Sequence, residues 1–243
     1  MNEYRLVTVA NRKPIENYYT FDECFRSLQG EEPLILGTQP GQYGGLGSKP
    51  RLLYNAIKEG LIPEKHIIFF DCFDLVFSVK PEQLFEKYLQ FKSPFVISAE
   101  KNCFPADTKE EYDKLGEDFG SPYKYLNSGM IVAEVEAMLA VLESMGAKDI
   151  PNDYWDSERG CMINPNDQEY YQKEFIKQPV TMTLDRYQIL CNTLHSVELS
   201  ELRFDETGIF NQVTHTFPCS FHLNGGAKTG GLREPILNHL KLI

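Results

Sequence analysis

Short apolar runs alternate with amphipathic stretches through the first hundred residues. Arg5–Ala10, rich in Val and Thr, predicts a buried strand. Tyr19–Leu28 carries Phe21, Cys24, Phe25 and Leu28 at helical spacing and predicts a helix. Pro33–Leu36 predicts a second strand. A glycine-dense loop, Gly37 to Gly47, then leads into a helix over Lys49–Glu59 with Leu52, Leu53 and Ile57 on its apolar stripe. His66–Phe70 is a continuous apolar strand that runs into Asp71. Pro81, at the favoured first position, opens a helix bearing Leu84, Phe85, Tyr88 and Leu89, and Phe95–Ser98 closes a fourth strand. Such β-α repeats predict a mostly parallel sheet covered by helices on both faces. Ligands of such sheets sit outside the carboxyl ends of the strands, and Asp71 lies at one of them.

The second half is less regular. Leu126–Ala133 predicts a strand, Glu134–Met145 a helix, and Asp149–Pro165 a polar loop holding the only tryptophan, Trp155. Asp167–Phe175 predicts a short helix. Gln188–Leu190, Val213–Thr216 and Phe221–Leu223 predict short strands, and glycines crowd Leu223–Gly231 ahead of a terminal helix to Ile243. There is no internal repeat and no linker, so the 243 residues predict one α/β domain.

Composition narrows the function. With 42% apolar and 24% charged residues the chain can bury a core, which excludes wholesale disorder. A net charge of −11 repels nucleic acid and anionic lipid, so neither is expected as a partner. A phosphate-bearing substrate would need a local cation, a helix N-terminus or placed lysines. No apolar run approaches the ~18 residues of a membrane span, and no basic-then-apolar leader opens the chain. The six cysteines lack CxxC spacing, so reduced thiols and a cytoplasmic location are expected.

Three segments carry candidate chemistry. The strand His66–Phe70 ends in Asp71 and Asp74; two acids that converge there are costly unless a cation sits between them, and oxygen ligands suit a divalent metal. The alternative is a helix-capping Asp71 with a surface Asp74. The stretch Gly44-Gly-Leu-Gly-Ser-Lys49 fails the P-loop pattern, yet it enters a helix with Lys49 at its start, where an anion could bind or the loop could be only a turn. Ser220-Phe-His-Leu-Asn-Gly-Gly-Ala-Lys228 places His222, Gly225 and Lys228 close together, as ligand-binding residues or as structural ones.

These segments, with Thr8-Val-Ala, Ser98-Ala-Glu100, Lys124-Tyr-Leu-Asn-Ser-Gly129, Asn166-Asp-Gln168 and Leu184-Asp185, occur in the order seen in the glycosyltransferase domain of the multifunctional procollagen lysyl hydroxylases, which the chain resembles from about Leu6 to Lys228. The resemblance implies a GT-A fold, a UDP-linked sugar donor and a manganese or magnesium ion. It implies that Asp71, Asp74 and His222 hold the metal, and that Lys49 and Lys228 neutralise phosphate. By the same pattern Gly44 and Gly45 belong to the donor-binding residues, Gly225 lets backbone approach the donor, Phe73 packs on uracil and Thr8 touches the nucleoside. Asn127 and Ser128 fall near the sugar, and Asp167 and Gln168 near the reacting centre, with Asp167 also a candidate helix cap. Residues 1–100 would form the nucleotide-binding half and 101–243 the acceptor half with the third metal ligand.

The chain departs from the pattern in three places. The family's aspartate run is thinned to Asn164-Pro-Asn-Asp167, its tryptophan before a proline is Phe104, and its tryptophan ahead of the glycine loop is absent. The expectation is a metal-dependent hexosyltransferase acting on a hydroxyl of a sugar or glycopeptide, such as galactosyl-hydroxylysine, with retention of anomeric configuration. The thinned acidic run leaves a catalytically weak nucleotide-sugar-binding module as the alternative. A phosphohydrolase would rest on Asp71 and Asp74 alone and lacks the Asp-x-Asp-x-Thr signature.

Overall fold

A computed structural model describes residues 3–11, 19–115, 120–228 and 230–243. In chain order the first half forms β1 (Tyr4–Val9), α1 (Phe21–Ser27), β2 (Leu34–Leu36), α2 (Ser48–Lys58), β3 (His66–Phe70), β4 (Leu75–Phe77), α3 (Pro81–Leu89) and β5 (Phe95–Glu100). Next come α4 (Lys109–Asp113), β6 (Tyr125–Glu134), α5 (Val135–Ser144), β7 (Tyr154–Asp156), β8 (Cys161–Ile163), α6 (Asp167–Lys177) and β9 (Thr183–Asp185). The chain finishes with β10 (Asn192–Thr193), β11 (Leu202–Asp205), β12 (Gly208–Asn211), β13 (Ser220–His222) and α7 (Arg233–His239).

Six strands make the central sheet in the order β2-β1-β3-β6-β5-β9. β1 runs parallel to β2 and β3, and β5 parallel to β9, whereas β6 runs antiparallel to both of its neighbours. Within this sheet β6 alone is reversed, so the expected mostly parallel arrangement holds. The consequence is positional: the start of β6 lies beside the carboxyl ends of β3 and β5.

The sheet is apolar on both faces because successive side chains point to opposite sides. Val7, Ile67, Phe69 and Ile131 join Leu53 and Ala56 of α2 and Met138 and Leu142 of α5 in one core. Leu6, Ile68, Phe70 and Val132 join Cys24 of α1 and Leu84, Phe85 and Tyr88 of α3 in the other. No helix among the described residues is long and apolar enough to cross a membrane.

Several expectations for the second half are corrected. The polar segment Asp149–Pro165 contains an antiparallel hairpin, β7–β8. Gln188–Leu190 is not a strand: the Asp185 carboxylate accepts from the N–H groups of Ile189, Leu190 and Cys191 and folds the segment into a turn. Val213–Thr216 is a turn after the β11–β12 hairpin, with Asn211 Oδ1 accepting from the N–H groups of Val213 and Thr214. The last helix ends at His239, short of Ile243.

Candidate functional site

Asp71 directly follows β3, and Asp74 directly precedes β4. β13 pairs antiparallel with β4, with His222 opposite Leu75, and the Leu223 N–H donates to the Asp74 carbonyl at 2.7 Å. This ladder carries an imidazole from far along the chain to the two acids. His222 Nε2 lies 3.1 Å from Asp74 Oδ1, and Asp71, Asp74 and His222 each offer one ligand atom within 4.8 Å of the others.

The reversed strand supplies the next layer. The Asp71 N–H donates to the Gly129 carbonyl at 2.9 Å. Asn127 Oδ1 accepts from the Gly129 N–H at 2.9 Å and faces His222 Nδ1 at 3.0 Å, while Asn127 Nδ2 donates to Glu100 at 3.2 Å. The amide orientation is thereby determined, so Nδ1 carries a proton and Nε2 is aimed at the acids. Gly129 has to be glycine because a Cβ there would come 2.1 Å from His222 Cε1.

Charge is balanced locally. Lys49 Nζ donates to both Asp71 oxygens at 2.6 and 2.8 Å and lies 3.8 Å from Asp167 Oδ2. Lys228 Nζ is 2.7 Å from Asp74 Oδ2 and stands over the Tyr19 ring at 5.2 Å. Burial would raise Asp74, but His222 and Lys228 overcome it and hold the carboxyl below the ordinary range. Burial lifts Asp167 against the pull of Lys49, and lifts Glu100 against its bonds from Asn127 and Gln168. Burial would depress Lys49, yet Asp167 and Asp71 together push its ammonium above the usual lysine range. Two carboxylates and one imidazole, each acid already matched by a cation, are a donor set that fits a borderline divalent metal.

These groups line a cavity of about 320 Å³. Asn127, Ser128, Asp167, Gln168, Gly225, Lys49 and Lys228 are brought together in its wall with the three metal-ligand candidates. Asn166, not Asp167, caps α6. Its extended backbone lets Oδ1 accept from the Gln168 N–H at 3.0 Å, a reach that a residue already inside the helix lacks. Asp167 instead turns its carboxylate to Ser128 Oγ at 3.0 Å and to Lys49. Gln168 accepts from the Ser128 N–H at 3.2 Å and donates to Glu100 at 2.7 Å and to the Phe104 carbonyl at 2.6 Å.

Four expected donor-binding residues lie outside this wall. Thr8 is fully buried and its hydroxyl donates to the Phe70 carbonyl at 2.7 Å. Phe73 packs against Tyr19 and Phe21, with ring centroids 5.7 and 5.8 Å away. Gly44 and Gly45 are pressed against the 152–153 segment: a Cβ on Gly45, whose φ is +104°, would sit 2.0 Å from Asp153 Oδ1. The Gly44 N–H donates to Ser48 Oγ at 3.3 Å, inside the loop.

The cavity wall also contains Glu100, Phe104, Gly129, His195 and Asn224, to which sequence reasoning assigned no role. Glu100 had a signal, since it ends an apolar strand as Asp71 does. Asn224 lies within the glycine-rich segment that follows His222, whereas His195 stands in no motif.

A family model described as "PLOD GT domain" matches residues 2–240. Among relatives, Uncharacterized protein R699 of Acanthamoeba polyphaga mimivirus is 29% identical over 209 residues, 84% of this chain and 39% of that protein. Procollagen-lysine,2-oxoglutarate 5-dioxygenase 1 of Gallus gallus is 28% identical over 192 residues, 76% of this chain and 24% of that protein. The chain thus spans well under half the length of either relative. Among solved structures, a glycosyltransferase involved in glycosylation of the major capsid of PBCV-1 superposes with a TM-score of 0.50 at 12% identity, covering 98% of this chain and 100% of that one. That likeness concerns the fold, which is the expected GT-A arrangement.

Proposed function

This chain belongs to the PLOD GT domain family, and from that premise we propose that it transfers a hexose, glucose or galactose, from a UDP-linked donor to a hydroxyl of a sugar or glycopeptide acceptor. The observation that carries the proposal is the convergence of Asp71, Asp74 and His222 within 4.8 Å in the wall of one cavity. These three would hold manganese or magnesium, and the bound ion would supply Lewis-acid neutralisation of a diphosphate leaving group.

The chain's own residues do the rest. Lys49 and Lys228, paired with Asp71 and Asp74 at 2.6 and 2.7 Å, would turn their ammonium groups onto phosphate oxygens. Phe73, beside Tyr19, offers an aromatic shelf for uracil. Asn127 orients His222, Ser128 holds the Asp167 carboxylate at the cavity wall, and Gln168 accepts from the Ser128 N–H, which would set Asp167 near the sugar and the incoming hydroxyl. On this division residues 1–100 form the nucleotide-binding half, and 101–243 form the sugar and acceptor half and supply the third metal ligand and Lys228.

The test is UDP release with manganese, comparing UDP-glucose with UDP-galactose and offering galactosyl-hydroxylysine as first acceptor. Absence of hydrolysis and transfer with every nucleotide sugar refutes the enzyme; UDP binding without turnover leaves a binding module. Asp74→Ala should abolish manganese-dependent UDP binding, and unchanged affinity would refute the metal assignment.

A further inference from the structure

The β7–β8 hairpin exposes the large side chains of Tyr154, Trp155 and Met162. Trp155 is 62% exposed and Met162 53%, and the two are direct cross-strand partners, so they share one face. Isolated two-stranded ribbons are marginal in water, and this one is built up at both ends. At its tip Asp156 Oδ1 accepts from the N–H groups of Glu158 and Arg159 at 2.9 and 3.1 Å. At its foot the Asp153 N–H donates to the Gly44 carbonyl at 2.6 Å, and Arg51 donates to the Ile150 carbonyl at 2.7 Å. The foot stands on the cavity rim: Asp153 abuts Gly45, next to the rim residue Leu46, and the returning strand leads through Pro165 to Asn166 in the cavity wall.

We propose that the Trp155–Met162 face is an acceptor subsite on which a hexopyranose of the acceptor stacks its apolar C–H face. The inference rests on the transferase reading above, because a transferase needs a second substrate at the mouth of its donor cavity. Trp155 lies two residues from Asp153, at most about 7 Å of extended backbone beyond the side chain that abuts Gly45. An indole presents a large rigid surface at low entropic cost, and a galactopyranoside presents a matching patch of C–H groups on one face. The ribbon is continuous with the cavity rim, which is why a sugar rather than a second copy of the chain is the expected occupant.

Because Trp155 is the only tryptophan, its emission reports this face alone. The protein, with manganese and UDP, is titrated with methyl β-galactoside, with a galactosyl-hydroxylysine peptide and with the same peptide lacking the sugar. Both galactosyl probes should give a saturable blue shift and the bare peptide none. In transfer assays Trp155→Ala should raise the acceptor KM about tenfold with the donor KM held, and Trp155→Phe should recover most of the loss. Emission that ignores every glycoside, or that shifts only with protein concentration as a self-associating face would, overturns the proposal. Donor hydrolysis measured alongside separates the two failures: hydrolysis without an emission response removes the subsite and leaves the transferase standing.

Discussion

The side-chain oxygen of Asn127 stands 3.0 Å from Nδ1 of His222, and this contact decides which ring nitrogen faces Asp74. Such outer contacts govern how well a ligand histidine serves its ion. Asn127→Ala should weaken manganese binding by about 10–100-fold while all three proposed ligands remain. Titration followed by manganese electron paramagnetic resonance measures this directly; an unchanged dissociation constant would show that the ring is held some other way.

Gly129 offers a test that removes no polar group. The methyl of Gly129→Ala would occupy the His222 ring position, 2.1 Å from Cε1, so the ring must move. Overpacking of this kind costs about 1–3 kcal/mol. The expected result is a folded protein with a modestly lower melting temperature and more than about tenfold weaker manganese affinity. A variant that binds as wild type would mean the imidazole contributes nothing.

Lys49 neutralises two acids at once, Asp71 at 2.6 Å and Asp167 at 3.8 Å, while its own ammonium is buried. Lys49→Met leaves those carboxylates without their cation and should destabilise the metal-free protein by about 3–5 kcal/mol. Added manganese should then raise the melting temperature more in the variant than in wild type, since an ion at Asp71 takes over part of the lost charge. Equal shifts in the two proteins would count against that exchange.

Asp185 predicts an unusual pH response. Burial raises its carboxyl to about 6, despite accepting three backbone N–H groups. The folded state therefore binds this proton more tightly than the unfolded chain. Its stabilisation is present below about pH 4 and is lost as pH rises through 6, by about 3 kcal/mol in full. Urea midpoints across pH 4 to 7 should show wild type losing stability relative to Asp185→Asn over that window. A constant difference between the two would contradict the raised value.

Much of this was legible in the chain. The apolar runs of β1, β3 and β5 sit in a sheet buried on both faces, where burial alone determines strand character. The acids after β3 and the segment carrying His222 were equally visible. What could not be read was pairing: nothing local in Tyr125–Glu134 announces that it runs against its neighbours, and that reversal is what sets Asn127 and Gly129 beside Asp71. The role of Asn166 was hidden because adjacent Asn and Asp are both good caps, and only backbone geometry separates them. The hairpin at Tyr154 was masked by the polar and turn-forming residues around it.

The ladder between β4 and β13 joins Asp74 to a histidine 148 residues later. A nascent polypeptide therefore displays both aspartates long before any imidazole can reach them. Contacts so distant in sequence form late, after the loop between them has closed. An ion gripped by all three groups would accordingly stabilise the state in which β13 has docked on β4 over partly folded ones that lack this pairing.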